Sequence, residues 1–268
     1  MKQTIGFIGC GNIAKSMLGG IIKSGLVEKN QVIVSNRSTP SLIEVQNKYG
    51  VTIAQSNAEV AEKAHIVFLT VTSDMYETVI REIKEIIPAE TILIIVAAGE
   101  SIQKCERRFN RPVKIVKAMP NTPSLVNEGI TGIAANNNLT DDDKEIIRSL
   151  FACFGRVEFV DEGLMDVVTA VGGSSPAFTY MFIEALADGA VMFGMPRSQA
   201  YVFAAQAVLG AAKMMLETNL HPAALKDSVC SPGGTTIESV ARLEERGLRS
   251  AVIEAVKVNL EKAKQIHG

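Results

Sequence analysis

Short, nearly continuous apolar runs alternate with amphipathic stretches along the first 160 residues of this chain. Strands are predicted at Thr4–Ile8, Gln31–Ser35, Val51–Ile53, His65–Val71, Thr91–Val96, Val113–Ala118, Ile130–Ala135 and Arg156–Val160. Runs such as HIVFLTV and TILIIV lack the apolar–polar alternation of a half-exposed strand, and suit central parallel strands covered on both faces. Between them, helical spacing places helices after Gly11, at Leu42–Lys48, at Ala58–Lys63 with Asn57 as N-cap, at Met75–Ile87 ending at Pro88, and from Thr140 to Ala152. The three aspartates Asp141–Asp143 form an acidic first turn of the last of these. From about Gly163 the strand pattern stops and helical segments follow. Gly172-Gly173-Ser174-Ser175-Pro176 interrupts the first, with Pro176 opening a new helix. The segments Ala177–Phe193 and Gln199–Leu216 are apolar on almost every side. The expectation is an α/β domain with a doubly wound, mostly parallel sheet over 1–162, followed by an all-helical domain over 163–268. A helical region of about a hundred residues is too small to surround two such helices, so a second copy of the chain is expected to cover them. Packing on the first domain alone is the lesser alternative.

The first strand ends in chemistry. Gly9 allows a sharp turn, Gly11 lets a pyrophosphate approach the backbone, and Ala14 is the third small position, where helix and strand pack. The N–H groups near Asn12 and Ile13 face an anion. Cys10 is read as a small residue in the turn. Following a strand and preceding a helix, this pattern favours a dinucleotide site over a plain turn. At the end of the second strand an acidic residue would grip the ribose of NAD. Ser35, Asn36, Arg37 and Ser38 stand there instead, favouring NADP, with NAD as the weaker alternative. The strand ends at Val71–Asp74, Ala97–Gly99 and Met119–Thr122 should share one rim with the turn.

In the helical half, Thr235 and Glu238 are spaced as a capping box. The preceding Ser231-Pro232-Gly233-Gly234, with Thr236 after the cap, reads as a nest of N–H groups fit to hold a carboxylate.

Totals narrow the partners. A net charge of −2 leaves no electrostatic footprint for nucleic acid or an acidic membrane. The start of the chain is too broken by charge and glycine for a secretory signal, and no apolar run suffices for a membrane span. Cys10, Cys105, Cys153 and Cys230 lack CxxC or zinc-ligand spacing, and His65, His221 and His267 are scattered. Reduced thiols in the cytoplasm and no metal are expected.

With these motifs in place, the sequence resembles the pyrroline-5-carboxylate reductase family nearly end to end. The resemblance is carried by Gly6–Ala14, Met119–Gly129, Ser175–Phe178, Glu184–Val191, Ala204–Leu216, His221–Glu238 and Gly247–Val256. It implies a Rossmann-type NADP domain, a helical domain that interlocks with a second subunit, dimers that often assemble further, and reduction of 1-pyrroline-5-carboxylate to L-proline by NADPH. Carried over position by position, cofactor residues would be Gly9, Cys10, Gly11, Asn12, Ile13, Ala14, Ser35, Asn36, Arg37, Asn57, Thr70, Val71, Thr72, Ser73, Val96, Ala97 and Ala98. Substrate residues would be Met119, Asn121, Ser174, Ser231, Gly233, Gly234, Thr235 and Thr236. Thr236 would contact the imine nitrogen and serve as the catalytic residue. The chain departs from the family at Thr72-Ser73-Asp74, usually Lys-Pro-Gln, and at Gly172–Phe178, usually Ser-Gly-Ser-Gly-Pro-Ala-Tyr. Reduction of another small imine or carbonyl acid, or non-catalytic NADP binding, are the alternatives.

Overall fold

The computed structural model describes residues 1–97 and 99–267, with side chains to Gln265. Its described residues fall into two compact units, 1–173 with 262–267, and 174–261.

The first unit is built on one eight-stranded sheet. Its strands are β1 (Ile5–Ile8), β2 (Val32–Ser35), β3 (Thr52–Ile53), β4 (Ile66–Leu69), β5 (Ile92–Ile95), β6 (Lys114–Met119), β7 (Gly129–Ala135) and β8 (Gly155–Phe159). The spatial order is β3-β2-β1-β4-β5-β6-β7-β8, parallel throughout except for the antiparallel β6–β7 pair. β1 lies between β2 and β4, with Ile5 opposite both Val32 and Ile66. Helices α1 (Asn12–Ser24), α2 (Thr39–Tyr49), α3 (Asn57–Lys63), α4 (Tyr76–Ile83), α5 (Ile102–Phe109) and α6 (Asp141–Phe151) cover it. Because successive strand side chains point to opposite faces, the sheet feeds two cores. Phe7 and Phe68 stack at 4.6 Å between ring centroids within one, against Met17, Leu18 and Phe151. Ile8, Val67, Leu69, Tyr76 and Ile95 lie in the other.

Two helix boundaries differ from the sequence reading. Ser56, not Asn57, caps α3: its hydroxyl accepts the Glu59 N–H, and Asn57 is the first helical residue. α4 ends at Ile83 rather than Ile87, since the Arg111 guanidinium takes the carbonyls of Lys84 and Ile87. α6 follows the expected cap, with Asp143 closing a capping box on Thr140. Burial raises the Asp143 carboxyl pKa, but the Thr140 N–H and Lys114 ammonium outweigh it and hold the carboxyl below its ordinary value. The glycines at 172–173 do not break the chain. α7 (Met165–Val168) runs through a π-helical stretch, Thr169–Ser174, into α8 (Ser175–Met192). Pro176 has no N–H to offer Gly172, and the Asn121 amide donates to that carbonyl instead, at 2.9 Å. The widened turn is the physical answer to a proline that a straight helix cannot pair.

The second unit contains α8, α9 (Arg197–Thr218), α10 (Pro222–Val229), α11 (Thr235–Glu245) and most of α12 (Leu248–His267). α8 and α9 pack through the small residues Ala187, Ala200 and Ala204. Most of the remaining apolar surface is open: Phe193, Met192, Met181 and Phe203 are 92, 81, 68 and 66 % exposed. Here too a cap differs. Gly234, not Thr235, is the N-cap of α11, Thr235 is its first residue, and no side-chain capping bond forms. Among the described residues, no helix is long and apolar enough to cross a membrane.

Candidate active site

Where β1 ends, the backbone turns through Gly9 at φ +101°, a region costly for any residue with a Cβ. A Cβ there would also lie 2.8 Å from the backbone of Thr70. Gly9 N–H donates to the Ser35 carbonyl and Thr70 N–H to that of Ile8, both at 2.9 Å. The Thr70 hydroxyl donates to the carbonyls of Ile8 and Gly9. The ends of β1, β2 and β4 are thus tied into one rim. Next door, the buried Tyr76 hydroxyl donates to the Leu69 carbonyl and accepts from the N–H groups of Val96 and Ala97. Burial pushes its pKa well above that of a free phenol, so it acts as a fixed strut.

Behind this rim, α1 begins at Asn12 with Gly11 as N-cap, no side-chain capping bond and no acidic residue in the first turn. The first-turn N–H groups are therefore left for an anion. Nothing lies within 4 Å of where a Gly11 Cβ would be, so the approach is open. Cys10 is buried, its N–H donates to Asn36 Oδ1, and burial pushes the thiol up from its ordinary value. Ala14 is 1 % exposed against the core, and Ile13 is exposed.

At the end of β2, Ser35 is buried and its hydroxyl donates to Asn57 Oδ1; Asn57 Nδ2 in turn donates to Glu82 Oε2, each at 2.7 Å. Asn36 also donates to the Ser38 carbonyl. Arg37 is exposed. Val71 packs on the core edge, and Thr72 precedes the 3-10 turn Ser73–Met75. Ala98 lies outside the described residues. Asn12, Ile13, Val96, Met119 and Asn121 come together around a cleft of about 590 Å³, with Met17, Tyr49, Pro120 and Leu125 as apolar walls. Asn121 is committed at both ends of its amide, donating to Gly172 and accepting the Ile130 N–H at 3.0 Å. That makes it a brace for the rim.

The other expected substrate residues stand on the helical unit. Ser174 accepts from the Asn259 amide at 2.9 Å. Ser231–Gly234 forms a turn closed by Gly234 N–H to the Ser231 carbonyl at 3.0 Å, with Gly233 at φ +68°. A Cβ on Gly234 would lie 2.4 Å from Ser231 Oγ. Among the described residues, the hydroxyls of Thr235 and Thr236 have no hydrogen-bond partner. An uncapped helix start with two available hydroxyls suits a carboxylate.

Tyr76 and Glu82 have no signal in the sequence reading. Each lies in an ordinary amphipathic stretch, and only the sheet brings one under the strand ends and the other to Asn57. Among the described residues, no group of three or more His, Cys, Asp and Glu could hold a metal ion.

A glycine turn feeding an uncapped helix on the rim of a parallel sheet defines a dinucleotide-binding oxidoreductase of the Rossmann class, here with a helical unit appended. Residues 4–99 match the family model for coenzyme F420-dependent NADP oxidoreductases, and 162–266 that for pyrroline-5-carboxylate reductase dimerisation. The chain is 47% identical over 266 residues to the pyrroline-5-carboxylate reductase of Escherichia coli (strain K12), covering 99% of each. It belongs to the pyrroline-5-carboxylate reductase family. Among solved structures it is similar to the Coxiella burnetii enzyme, with a TM-score of 0.94 and 34% identity over 100% of both chains. The Plasmodium falciparum enzyme with NADP bound gives 0.85 and 29% identity over 100% of this chain and 99% of that one.

Proposed function

We propose that this chain reduces 1-pyrroline-5-carboxylate to L-proline, the last step of proline biosynthesis, with a nucleotide domain over 1–162 and a substrate-binding, dimerising domain over 163–268. NADPH, when bound, supplies the hydride that reaches the imine carbon. The open N-terminus of α1 and the strained turn at Gly9 fit a pyrophosphate, and Arg37 with Asn36 and Ser38 fits a 2′-phosphate. NAD fits this site less well, having no 2′-phosphate for Arg37.

The observation that carries the substrate reading is the Ser231–Thr236 turn. Its N–H groups and the positive end of α11 hold the carboxylate. The Thr236 hydroxyl orients the ring nitrogen. A threonine hydroxyl is too weak an acid to surrender its proton, so water supplies the one that ends on nitrogen. A protonated ring imine accepts hydride readily, and the protein mainly provides orientation and electrostatics. No histidine or cysteine constellation is required.

The exposed faces of α8 and α9 support a homodimer, with dimers able to assemble further, and four free thiols support a cytoplasmic enzyme. The test is oxidation of NADPH by the purified protein on adding pyrroline-5-carboxylate, beside its six-membered ring homologue. Turnover of the five-membered ring is expected to dominate. Faster turnover of the larger ring would reassign the substrate, and none with either would leave an NADP-binding protein without this activity.

A further inference from the structure

The hydrogen-bond relay at the end of β2 has a fixed polarity, and one carboxylate fixes it. Asn57 opens α3, but Ser56 caps that helix, so the Asn57 amide is not spent on its own backbone. It bridges two other elements instead. Its Oδ1 accepts the hydroxyl proton of buried Ser35, and its Nδ2 donates to Oε2 of Glu82 on α4, each at 2.7 Å. Glu59, a carboxylate in the same turn of α3, is taken by the Gln55 N–H and the Lys63 ammonium. The partner of Asn57 comes from a different helix.

An asparagine amide is nearly symmetrical in shape and opposite in chemistry at its two ends. Ser35 by itself does not choose between them, because a hydroxyl can donate to the oxygen or accept from the nitrogen. An ionised carboxylate only accepts. Glu82 thus draws the amino end towards α4, turns Oδ1 to Ser35 and commits the Ser35 proton. Among the described residues, the second hydrogen on Asn57 Nδ2 has no acceptor. The Ser35 carbonyl also accepts the Gly9 N–H at 2.9 Å, so the relay is anchored on the glycine turn itself. A carboxylate standing at this strand end would face the cofactor ribose directly. Here an amide stands between the strand end and the carboxylate.

Resting on the assignment of the end of β2 to the adenosine half of NADPH, we propose that Glu82 is a positioning residue for the cofactor. It holds the Asn57 amide so that the free Nδ2 hydrogen donates to an oxygen of the adenosine ribose or of its 2′-phosphate. Glu82 touches neither the cofactor nor the substrate, and its effect passes through Asn57 alone.

The test is titration calorimetry of the full-length protein with NADPH and with NADH. Wild type, Asn57→Ala, Glu82→Ala and Glu82→Gln are compared, the last two also in the Asn57→Ala background. Both Glu82 substitutions remove the charge, but the glutamine Oε1 can still accept from Asn57, so the difference between them reads the hydrogen bond. Glu82→Ala should bind NADPH about threefold to tenfold more weakly than Glu82→Gln, the worth of one such bond. Because Glu82 is exposed, both variants should melt like wild type. In the Asn57→Ala background the two substitutions should bind alike. A loss confined to NADPH puts the accepting oxygen on the 2′-phosphate, and an equal loss with NADH puts it on the ribose. Equal affinity of the alanine and glutamine variants overturns the proposal, as does a difference that persists without Asn57. Wild type and Asn57→Ala binding NADPH equally well overturns the role of Glu82 and leaves the cofactor reading standing. A wild type that binds neither cofactor overturns that reading, and the role of Glu82 with it.

Discussion

Arg37 stands exposed at the end of β2 and, among the described residues, makes no ion pair. Its proposed role as the 2′-phosphate partner predicts that Arg37→Asp raises the Michaelis constant for NADPH by about tenfold to a hundredfold, the worth of a charge-assisted bond. The constant for NADH should move far less; parallel kinetics with both cofactors check this. The missing acidic residue at this strand end was legible in the sequence, since the register of a βαβ unit puts it there. The relay Ser35–Asn57–Glu82 was not, because it joins residues 22 and 25 positions apart through three different elements. Thr236 presents the second test. Its hydroxyl has no partner in the helical unit, so Thr236→Ala is expected to leave the melting temperature nearly unchanged while lowering turnover at least tenfold. Thr235→Ala should also melt like wild type, because Gly234 occupies the cap position and Thr235 makes no capping bond. Steady-state rates and melts on both variants decide.

At the scale of elements, the sequence placed strands and helices well and chose two caps one residue out. Ser56 and Asn57 are both good caps, as are Gly234 and Thr235 after a Pro-Gly turn. Local chemistry does not choose between such neighbours, and the incoming chain direction does. The π-helical stretch is a tertiary device. Gly172 and Pro176 look like a break, and the helix continues because Asn121, fifty-one residues earlier, supplies the donor that Pro176 lacks. Asn121→Ala removes that bond and the one to Ile130 N–H. It is expected to cost about 1–3 kcal/mol of stability, read from denaturant unfolding of wild type and variant. Lost activity without lost stability would instead assign Asn121 to substrate.

For the whole molecule, the decisive quantity is the apolar surface of α8 and α9. An isolated soluble chain rarely leaves residues such as Phe193, Met181 and Phe203 in water together. Light scattering is expected to show no monomer at micromolar concentration. Leu209, 52 % exposed on α9, is a sensitive position: Leu209→Asp should break the assembly or leave the protein insoluble. A soluble wild-type monomer would contradict the proposed homodimer.

The alternation of apolar runs with amphipathic stretches determined the sheet, its mostly parallel sense and the change to helices, because burial on both faces imposes composition directly. The glycine turn was equally legible, since Gly9 needs a backbone conformation open to few other residues. What the tertiary structure alone decided is which polar groups find partners. Tyr76 braces two strand ends, and Asn121 completes a helix. Such pairings depend on distances between residues far apart in the chain, and hydrophobic periodicity carries no record of them.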